Sequence, residues 1–233
     1  MFGIMIINKD TKLFGSFSQN PGNRGCQIFN AAFRYHQIDA IYKSYQISDI
    51  KSAVEAARTL GFSGFAVSMP FKKNVLEHVD IHADTAILCG SANTIVESSG
   101  ILKAHNTDFL AVKQFIKNVP IEAGLTSKSL VESGKYKFCV LGNGGYASAV
   151  ISALNDLNLE YEQIVRSNWH CISEAKSTIM FNCTPVKNVA IDDSCSIISS
   201  STETPTGRKL GLMQASYQYA LYTGKQFPFH FEA

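Results

Sequence analysis

Two observations predict an α/β fold for this chain. Strand-like and helix-like segments alternate through the first hundred residues, and a strand, a glycine-rich turn and a helix follow one another from residue 137. Such alternation is typical of a sheet whose faces are covered by helices. The chain has 233 residues, of which 45% are hydrophobic and 17% charged. This length allows two domains, each with its own core.

The elements of the first half follow from hydrophobic periodicity and turn residues. We expect strands at 12–17, 41–45 and 64–68, a hairpin from 92–96 and 101–104, and helices at 27–35, 50–60 and 73–88. Ser48 is expected to cap the second helix and Gly61 to end it.

The second half is predicted to begin after residue 108. A helix at 109–116 leads into a polar stretch, 122–135, which we interpret as a connection, and strands are expected at 137–141 and 161–165.

Composition and charge argue against several function classes. The net charge of +2 is spread along the chain, and its basic runs are only pairs such as Lys72-Lys73, so we expect no nucleic-acid binding. No apolar stretch approaches the roughly 18 residues of a membrane helix, and the N-terminus lacks a basic leader. Six cysteines without a CxxC pair or histidines at metal spacing predict buried free thiols, no metal site and a cytoplasmic location.

A glycine-rich turn joins the strand at 138–141 to a helix. Its residues are Gly142, Asn143, Gly144, Gly145, Tyr146 and Ala147. Glycines let backbone N–H groups approach a pyrophosphate, which then lies at the positive end of the helix. The turn therefore predicts dinucleotide binding, with an ordinary tight turn as the alternative.

Arg166 and Ser167 end the next strand, where an acid would indicate NAD. A guanidinium can instead pair with a 2′-phosphate, which favours NADP. The alternative is an exposed surface arginine.

Four short polar stretches follow strands of the first half, at 15–18, 66–72, 90–94 and 106–108. Open α/β sheets bind ligands at this edge. Each stretch alone has an ordinary structural interpretation: Lys72 as a solvated lysine, for example, or Asp108 as a helix cap.

Together these stretches resemble a known family. The paired serines, Val67-Ser68-Met69-Pro70-Phe71-Lys72, Gly90 to Thr94, Asn106-Thr107-Asp108 and the glycine turn occur in the order seen in shikimate dehydrogenases. Asn182-Cys183-Thr184-Pro185 and the stretch 207–215 resemble later motifs of that family, so the resemblance covers residues 11–224.

The resemblance implies an N-terminal open α/β substrate domain followed by a reduced Rossmann-like dinucleotide-binding domain. The substrate domain would span residues 1–108, with the helix 207–233 packing back on it, and the NADP-binding domain would span 109–206. Lys72 and Asp108 would be the catalytic pair, and Ser16 and Ser18 would hold the substrate carboxylate. The remaining assignments are Ser68, Asn93 and Gln214 as ligands of the ring hydroxyls, and Asn182, Thr184 and Gly207 as cofactor contacts beside the glycine turn, Arg166 and Ser167.

The implied activity is NADP-dependent interconversion of 3-dehydroshikimate and shikimate, or a closely related cyclic hydroxy acid, in aromatic amino acid biosynthesis, by a monomer or homodimer. Ala66, Ser68, Phe29 and Phe109 depart from the family pattern, and the second half is short enough to lack at least one Rossmann element. The alternatives are therefore a non-catalytic small-molecule-binding protein of the same family and a quinate-type dehydrogenase.

Overall fold

The computed structural model describes residues 7–122, 137–174, 179–189, 196–199, 201 and 203–229. The chain divides into two compact units, Met1–Thr107 with Ala215–Glu232, and Asp108–Gln214. Most of the predicted connection, 122–135, lies outside the described residues.

A six-stranded mixed sheet forms the centre of the first unit. Its strands are β1 (Lys12–Ser18), β2 (Ala40–Gln46), β3 (Phe62–Val67), β4 (Ile81–His82), β5 (Thr94–Ser98) and β6 (Ile101–His105). They lie in the order β2-β1-β3-β5-β6-β4. The pairs β2–β1, β1–β3 and β6–β4 are parallel, whereas β5 runs antiparallel to β3 and β6.

Helices cover both faces of this sheet. They include α1 (Arg24–Tyr35), α2 (Ile50–Thr59) and α3 (Asp84–Cys89). One core forms around Phe14 and Phe33 with α1, and the other around Phe17 and Val54 with α2. Since successive strand residues point to opposite faces, β1 supplies both cores.

A side chain of α1 forms hydrogen bonds with the backbone of the edge strand β2. The Asn30 amide donates to the backbone carbonyl of Tyr42 at 2.9 Å and accepts the Tyr42 N–H at 2.8 Å. Asn30 thereby satisfies backbone groups that an edge strand otherwise leaves open. This reciprocal pair also fixes α1 against β2.

Two local predictions for this unit were wrong. The cap of α2 is Asp49, whose carboxylate accepts the Ser52 N–H at 2.7 Å, and not Ser48. The stretch 73–88 is not one helix: it contains a 3₁₀ helix (Asn74–His78), β4 and α3. Asp80 explains the interruption, because its carboxylate accepts the Leu102 N–H at 2.7 Å and pairs with Arg58.

The second unit contains a smaller parallel sheet. Its described strands are β7 (Phe138–Leu141), β8 (Tyr161–Ile164), β9 (Ile179–Asn182) and β10 (Ser196–Ser199), in the order β10-β9-β7-β8. All four residues of β7 are buried, as expected of a central strand covered on both faces. The helices are α4 (Thr107–Glu122), α5 (Gly145–Asp156) and α6 (Pro205–Thr223).

This architecture confirms the α/β prediction with a reduced Rossmann-like second unit. Between β8 and β9 the described chain has a 3₁₀ helix (Arg166–Glu174) where a full Rossmann repeat would have an α-helix. From Ala215 onward α6 belongs to the first unit, where Tyr219 and Tyr222 pack against Phe14, Phe29 and Phe33.

The cysteines are only partly as predicted. Five described cysteines are free thiols, but only Cys89 and Cys139 are buried, and the other three are half-buried. No three metal-ligating side chains cluster within the described ranges. None of the helices there is both long and apolar enough to cross a membrane.

Candidate functional site

The carboxyl ends of β1 and β2 place a group of hydroxyls on one face of the first sheet. Ser16 and Ser18 alternate with buried Phe17, so their side chains share a face. Ser16 is half-buried and donates to Ser44 Oγ at 3.1 Å. Ser18 is 6% exposed, and its hydroxyl makes no hydrogen bond within the described chain. The predicted carboxylate ligands therefore lie side by side.

Asn93 is the most firmly held of the predicted substrate ligands. Its Oδ1 accepts the Thr107 N–H at 2.8 Å and the hydroxyls of Thr107 and Thr94, each at 3.1 Å. The side chain is 4% exposed. Since the backbone N–H of Thr107 can only donate, the Asn93 oxygen must face it and the amide cannot be flipped. Its NH₂ group, which bonds to nothing else in the described ranges, is therefore the part it can offer to a ligand.

The neighbouring Asn106-Thr107 segment is equally well anchored. Buried Asn106 donates to the Ser91 carbonyl at 2.9 Å and to the Ser91 hydroxyl at 3.1 Å, while its N–H is bound by Thr85 Oγ1 at 3.0 Å. These bonds join the segments before β5 and after β6. Thr94, Thr107 and Ser91 were missing from the predicted site, although a run of small polar residues at strand ends was the available signal.

Ser68 and Lys72 lie in the turn after β3. Ser68 is exposed, and its carbonyl accepts the Phe71 N–H at 2.9 Å. Half-buried Lys72 has its backbone carbonyl bonded to the Ala92 N–H at 2.7 Å. The structure thus brings the Lys72 backbone to the residue preceding Asn93.

Asp108 and Gln214 belong to the second unit. Asp108 lies in the first turn of α4 and is 7% exposed, and Gln214 is half-buried in α6. A carboxylate in the first turn of a helix is favoured by the helix dipole.

The glycine turn has a backbone shaped for close approach. Gly142 has a φ of +107°, and a Cβ there would meet Thr184 Cγ2 at 3.2 Å. Gly144 precedes α5, and a Cβ built on it would contact nothing within 4 Å. The start of α5 carries no acidic residue in its first turn. Open space at Gly144, before the start of a helix, fits a pyrophosphate.

The remaining residues of this turn differ in burial. Asn143 is exposed, Gly145 is half-buried and Ala147 is fully buried in the helix packing. Burial raises the pKa of Tyr146 well above its usual value, with smaller contributions from Cys183 and Asp108. The phenol is therefore neutral at physiological pH. The charge of Asp108 therefore acts on the Tyr146 phenol, a relationship that the sequence pattern did not suggest.

Asn182 closes the loop that faces the glycine turn. Its Oδ1 accepts the Thr184 N–H at 3.0 Å and the Thr184 hydroxyl at 2.8 Å, and its Nδ2 donates to the Val186 carbonyl at 2.7 Å. Asn182 is 2% exposed. The pair shapes the loop, and Thr184 then packs against Gly142.

Arg166 and Ser167 are exposed at the start of the 3₁₀ helix after β8. Neither side chain makes a hydrogen bond or ion pair within the described residues, so the guanidinium is available to an anion. Gly207 lies elsewhere, at the start of α6, where a Cβ would collide with the Ser201 carbonyl. The absence of a side chain there permits close packing of helix and strand.

The geometry defines a class of two-unit α/β proteins with a polar strand-end site in the first unit and a Rossmann-like second unit. Residues 24–95 match the family model described as the shikimate dehydrogenase substrate binding domain. A shikimate dehydrogenase-like protein of Haemophilus influenzae is 34% identical over 163 residues, 70% of this chain and 56% of that protein. The NADP(+) shikimate dehydrogenase of Aquifex aeolicus is 33% identical over 64% of this chain and 53% of its own length.

Solved structures agree with these relatives. A shikimate 5-dehydrogenase-like protein superposes with a TM-score of 0.74 at 26% identity, covering 95% of this chain and 94% of that one. The Listeria monocytogenes shikimate 5-dehydrogenase, solved with shikimate and NAD, gives 0.73 at 20% identity over 95% of both chains. The chain is thus similar to shikimate dehydrogenases over most of its length. It spans about half the length of the curated relatives it matches.

Proposed function

We propose that this protein is an NADP-dependent oxidoreductase that interconverts 3-dehydroshikimate and shikimate, or a closely related cyclic hydroxy acid. The observation that carries the proposal is the Asn93 side chain, held by Thr107 and Thr94 so that only its NH₂ group can face a ligand. The names of the curated relatives, NADP(+) shikimate dehydrogenases, support the same substrate and cofactor.

The proposed substrate ligands divide by chemistry. Ser16 and Ser18 supply hydroxyl donors for a carboxylate at the end of β1, and hydrogen bonds to a charged acceptor are roughly twice as strong as neutral ones. Asn93, with Ser68 and Gln214, binds the ring hydroxyls. A site made of fixed donors and acceptors rejects analogues that leave those groups unpaired.

Lys72 and Asp108 are the proposed acid–base pair. When the carbonyl of 3-dehydroshikimate is reduced, its oxygen needs one proton, and when the alcohol is oxidised the same proton must leave. Lys72 gives or takes this proton at the oxygen. Asp108 keeps the ammonium and the hydroxyl oriented for this transfer.

The second unit supplies the proposed cofactor site. Bound NADPH supplies the hydride for carbonyl reduction. Gly144, between Gly142 and Gly145, leaves room for the pyrophosphate at the start of α5, and Arg166 pairs with the 2′-phosphate.

A non-catalytic binding protein is the second candidate. It is favoured by the reduced second unit, whose described sheet has four strands and a 3₁₀ helix after β8. The fold also occurs in a protein named for another substrate: a 5-ketofructose reductase of Gluconobacter superposes with a TM-score of 0.68 at 18% identity.

A dehydrogenase assay separates the candidates. Shikimate with NADP should yield NADPH absorbance in the parent protein. Lys72→Ala and Asp108→Asn should each lower turnover by about 10²–10⁴-fold. The double variant should be little less active than the less active of the two single variants, because both residues serve one step. Lys73→Ala, at the exposed neighbouring lysine, is the matched control and should stay within a few-fold of the parent. Shikimate binding without turnover in the parent would favour the non-catalytic protein.

A further inference from the structure

Ser16 faces a second serine that the substrate assignment does not use. Ser16 and Ser44 are directly paired in the parallel strands β1 and β2, so both side chains project from the same face. The Ser16 hydroxyl donates to Ser44 Oγ at 3.1 Å, and both residues are half-buried. The donor intended for a ligand is therefore already engaged inside the protein.

A second hydrogen bond made by Ser44 fixes the direction of its bond with Ser16. Ser44 Oγ donates to the Gly22 carbonyl at 2.9 Å. A carbonyl only accepts, and a hydroxyl has a single proton. Ser44 therefore receives the proton of Ser16 and passes its own to Gly22, which ties the loop before α1 to β2.

A thiol also contacts the Ser44 hydroxyl. Cys26 Sγ, in the first turn of α1, lies 3.3 Å from Ser44 Oγ. Because the Ser44 proton is directed to Gly22, the thiol is the donor in this contact. Ser44 has two lone pairs, so it can keep the Cys26 bond after Ser16 turns away.

We propose that Ser44 is a positioning residue for the substrate carboxylate: it holds the Ser16 hydroxyl at the end of β1 and releases it to the carboxylate, while Cys26 keeps its own bond to Ser44. This inference rests on the proposed function, because Ser16 is a carboxylate ligand only within it. Ser18, which is nine-tenths buried and makes no side-chain hydrogen bond within the described ranges, supplies the second donor.

The arrangement is selective for a carboxylate over its neutral ester. A charged acceptor competes for the Ser16 proton more strongly than Ser44 Oγ does, whereas an ester oxygen is a weaker acceptor. Loss of Ser44 leaves the Ser16 hydroxyl without its orienting partner, which should weaken binding of the acid, where Ser16 makes the stronger bond, more than binding of the ester.

Calorimetric titration of shikimate and of its methyl ester tests the proposal without requiring turnover. Ser44→Ala should raise the Kd for shikimate about ten-fold, the scale of one hydrogen bond, with at most about a two-fold change for the ester. Ser44→Thr keeps the hydroxyl and should retain parental affinity within about three-fold. Ser63→Ala, a half-buried serine near the start of β3, is the matched control and should change neither Kd.

The thiol is tested separately, so that the proposal survives a misfolded Ser44 variant. Cys26→Ala should raise the Kd for shikimate about three-fold, and Cys26→Ser, which restores a donor, should return it to the parental value. Equal loss of acid and ester binding in Ser44→Ala, or an unchanged acid Kd, would overturn the positioning role. Failure of the parent to bind shikimate would also overturn it. If the parent binds shikimate with this Ser44 dependence but has no turnover, only the proposed catalytic function fails.

Discussion

Asn93 Oδ1 and the backbone N–H of Thr107 are joined by a buried hydrogen bond of 2.8 Å. This bond connects the residue before β5 with the first residue of α4, 14 positions later in the chain. The Thr107 N–H is one of the helix-start donors that have no partner within the helix, and Asn93 satisfies it. The same contact that completes the helix start thus orients the amide for a ligand.

Two substitutions of Asn93 should separate these two roles. Asn93→Ala leaves the buried Thr107 N–H without its acceptor, which should cost about 1–3 kcal/mol of unfolding free energy. Asn93→Asp keeps an oxygen for the three donors but replaces the NH₂ group. It should therefore weaken shikimate binding at least about ten-fold with a smaller stability loss. Urea unfolding and calorimetric titration measure the two effects. Parental affinity in Asn93→Asp would exclude the NH₂ group as a ligand.

A side chain added at Gly144 should affect cofactor binding, whereas one added at Gly207 should affect stability. Gly144→Val projects into open space, so the fold should remain intact by circular dichroism while NADPH binding, followed by nicotinamide fluorescence, is lost. Gly207→Ala meets the Ser201 backbone and should lower the melting temperature. If Gly144→Val binds NADPH as the parent does, the glycine turn is only a structural connection.

Arg166 should set the preference for NADPH over NADH. Removing its guanidinium in Arg166→Ala deletes the charge-assisted bond to the 2′-phosphate and should narrow the difference in binding free energy by about 1–3 kcal/mol. Arg34→Ala removes another exposed arginine, in α1, and should leave the preference unchanged. Fluorescence titration gives both Kd values. Equal affinity of the parent for the two cofactors would contradict the assignment.

The strands and the polar strand ends could be predicted from sequence because short apolar runs between turn residues are local signals. β1, β2, β3 and the hairpin β5–β6 accordingly lie within a few residues of their expected positions. The prediction of one helix at 73–88 was wrong because tertiary contacts determine the backbone conformation there. Asp80 bonds to Leu102 and Arg58, which belong to other elements.

In the candidate site too, residue positions follow from local sequence, whereas side-chain orientations follow from tertiary contacts. Ser16, Ser18 and Asn93 could be found as polar residues at strand ends, but their orientation depends on partners far along the chain. Ser44 is 28 residues from Ser16, and its role depends on the register of β1 against β2. No local pattern contains that register, so Ser44 becomes visible only in the folded chain.

His105, the last residue of β6, should make stability fall in mildly acidic solution. Burial lowers the pKa of His105 below its usual 6.5, and the nearby Lys103 ammonium lowers it further. The unfolded chain therefore binds a proton more readily than the folded one below pH 6.5. The free energy of unfolding should consequently decline as the pH falls from 6.5 toward the lower folded-state pKa, with no further decline from this group below it. Urea unfolding at pH 7.5 and at about 5 measures the decline. His105→Gln should reduce it, whereas His170→Gln, which removes an exposed imidazole, should retain the parental difference. The same decline in the parent and in His105→Gln would exclude His105 as its source.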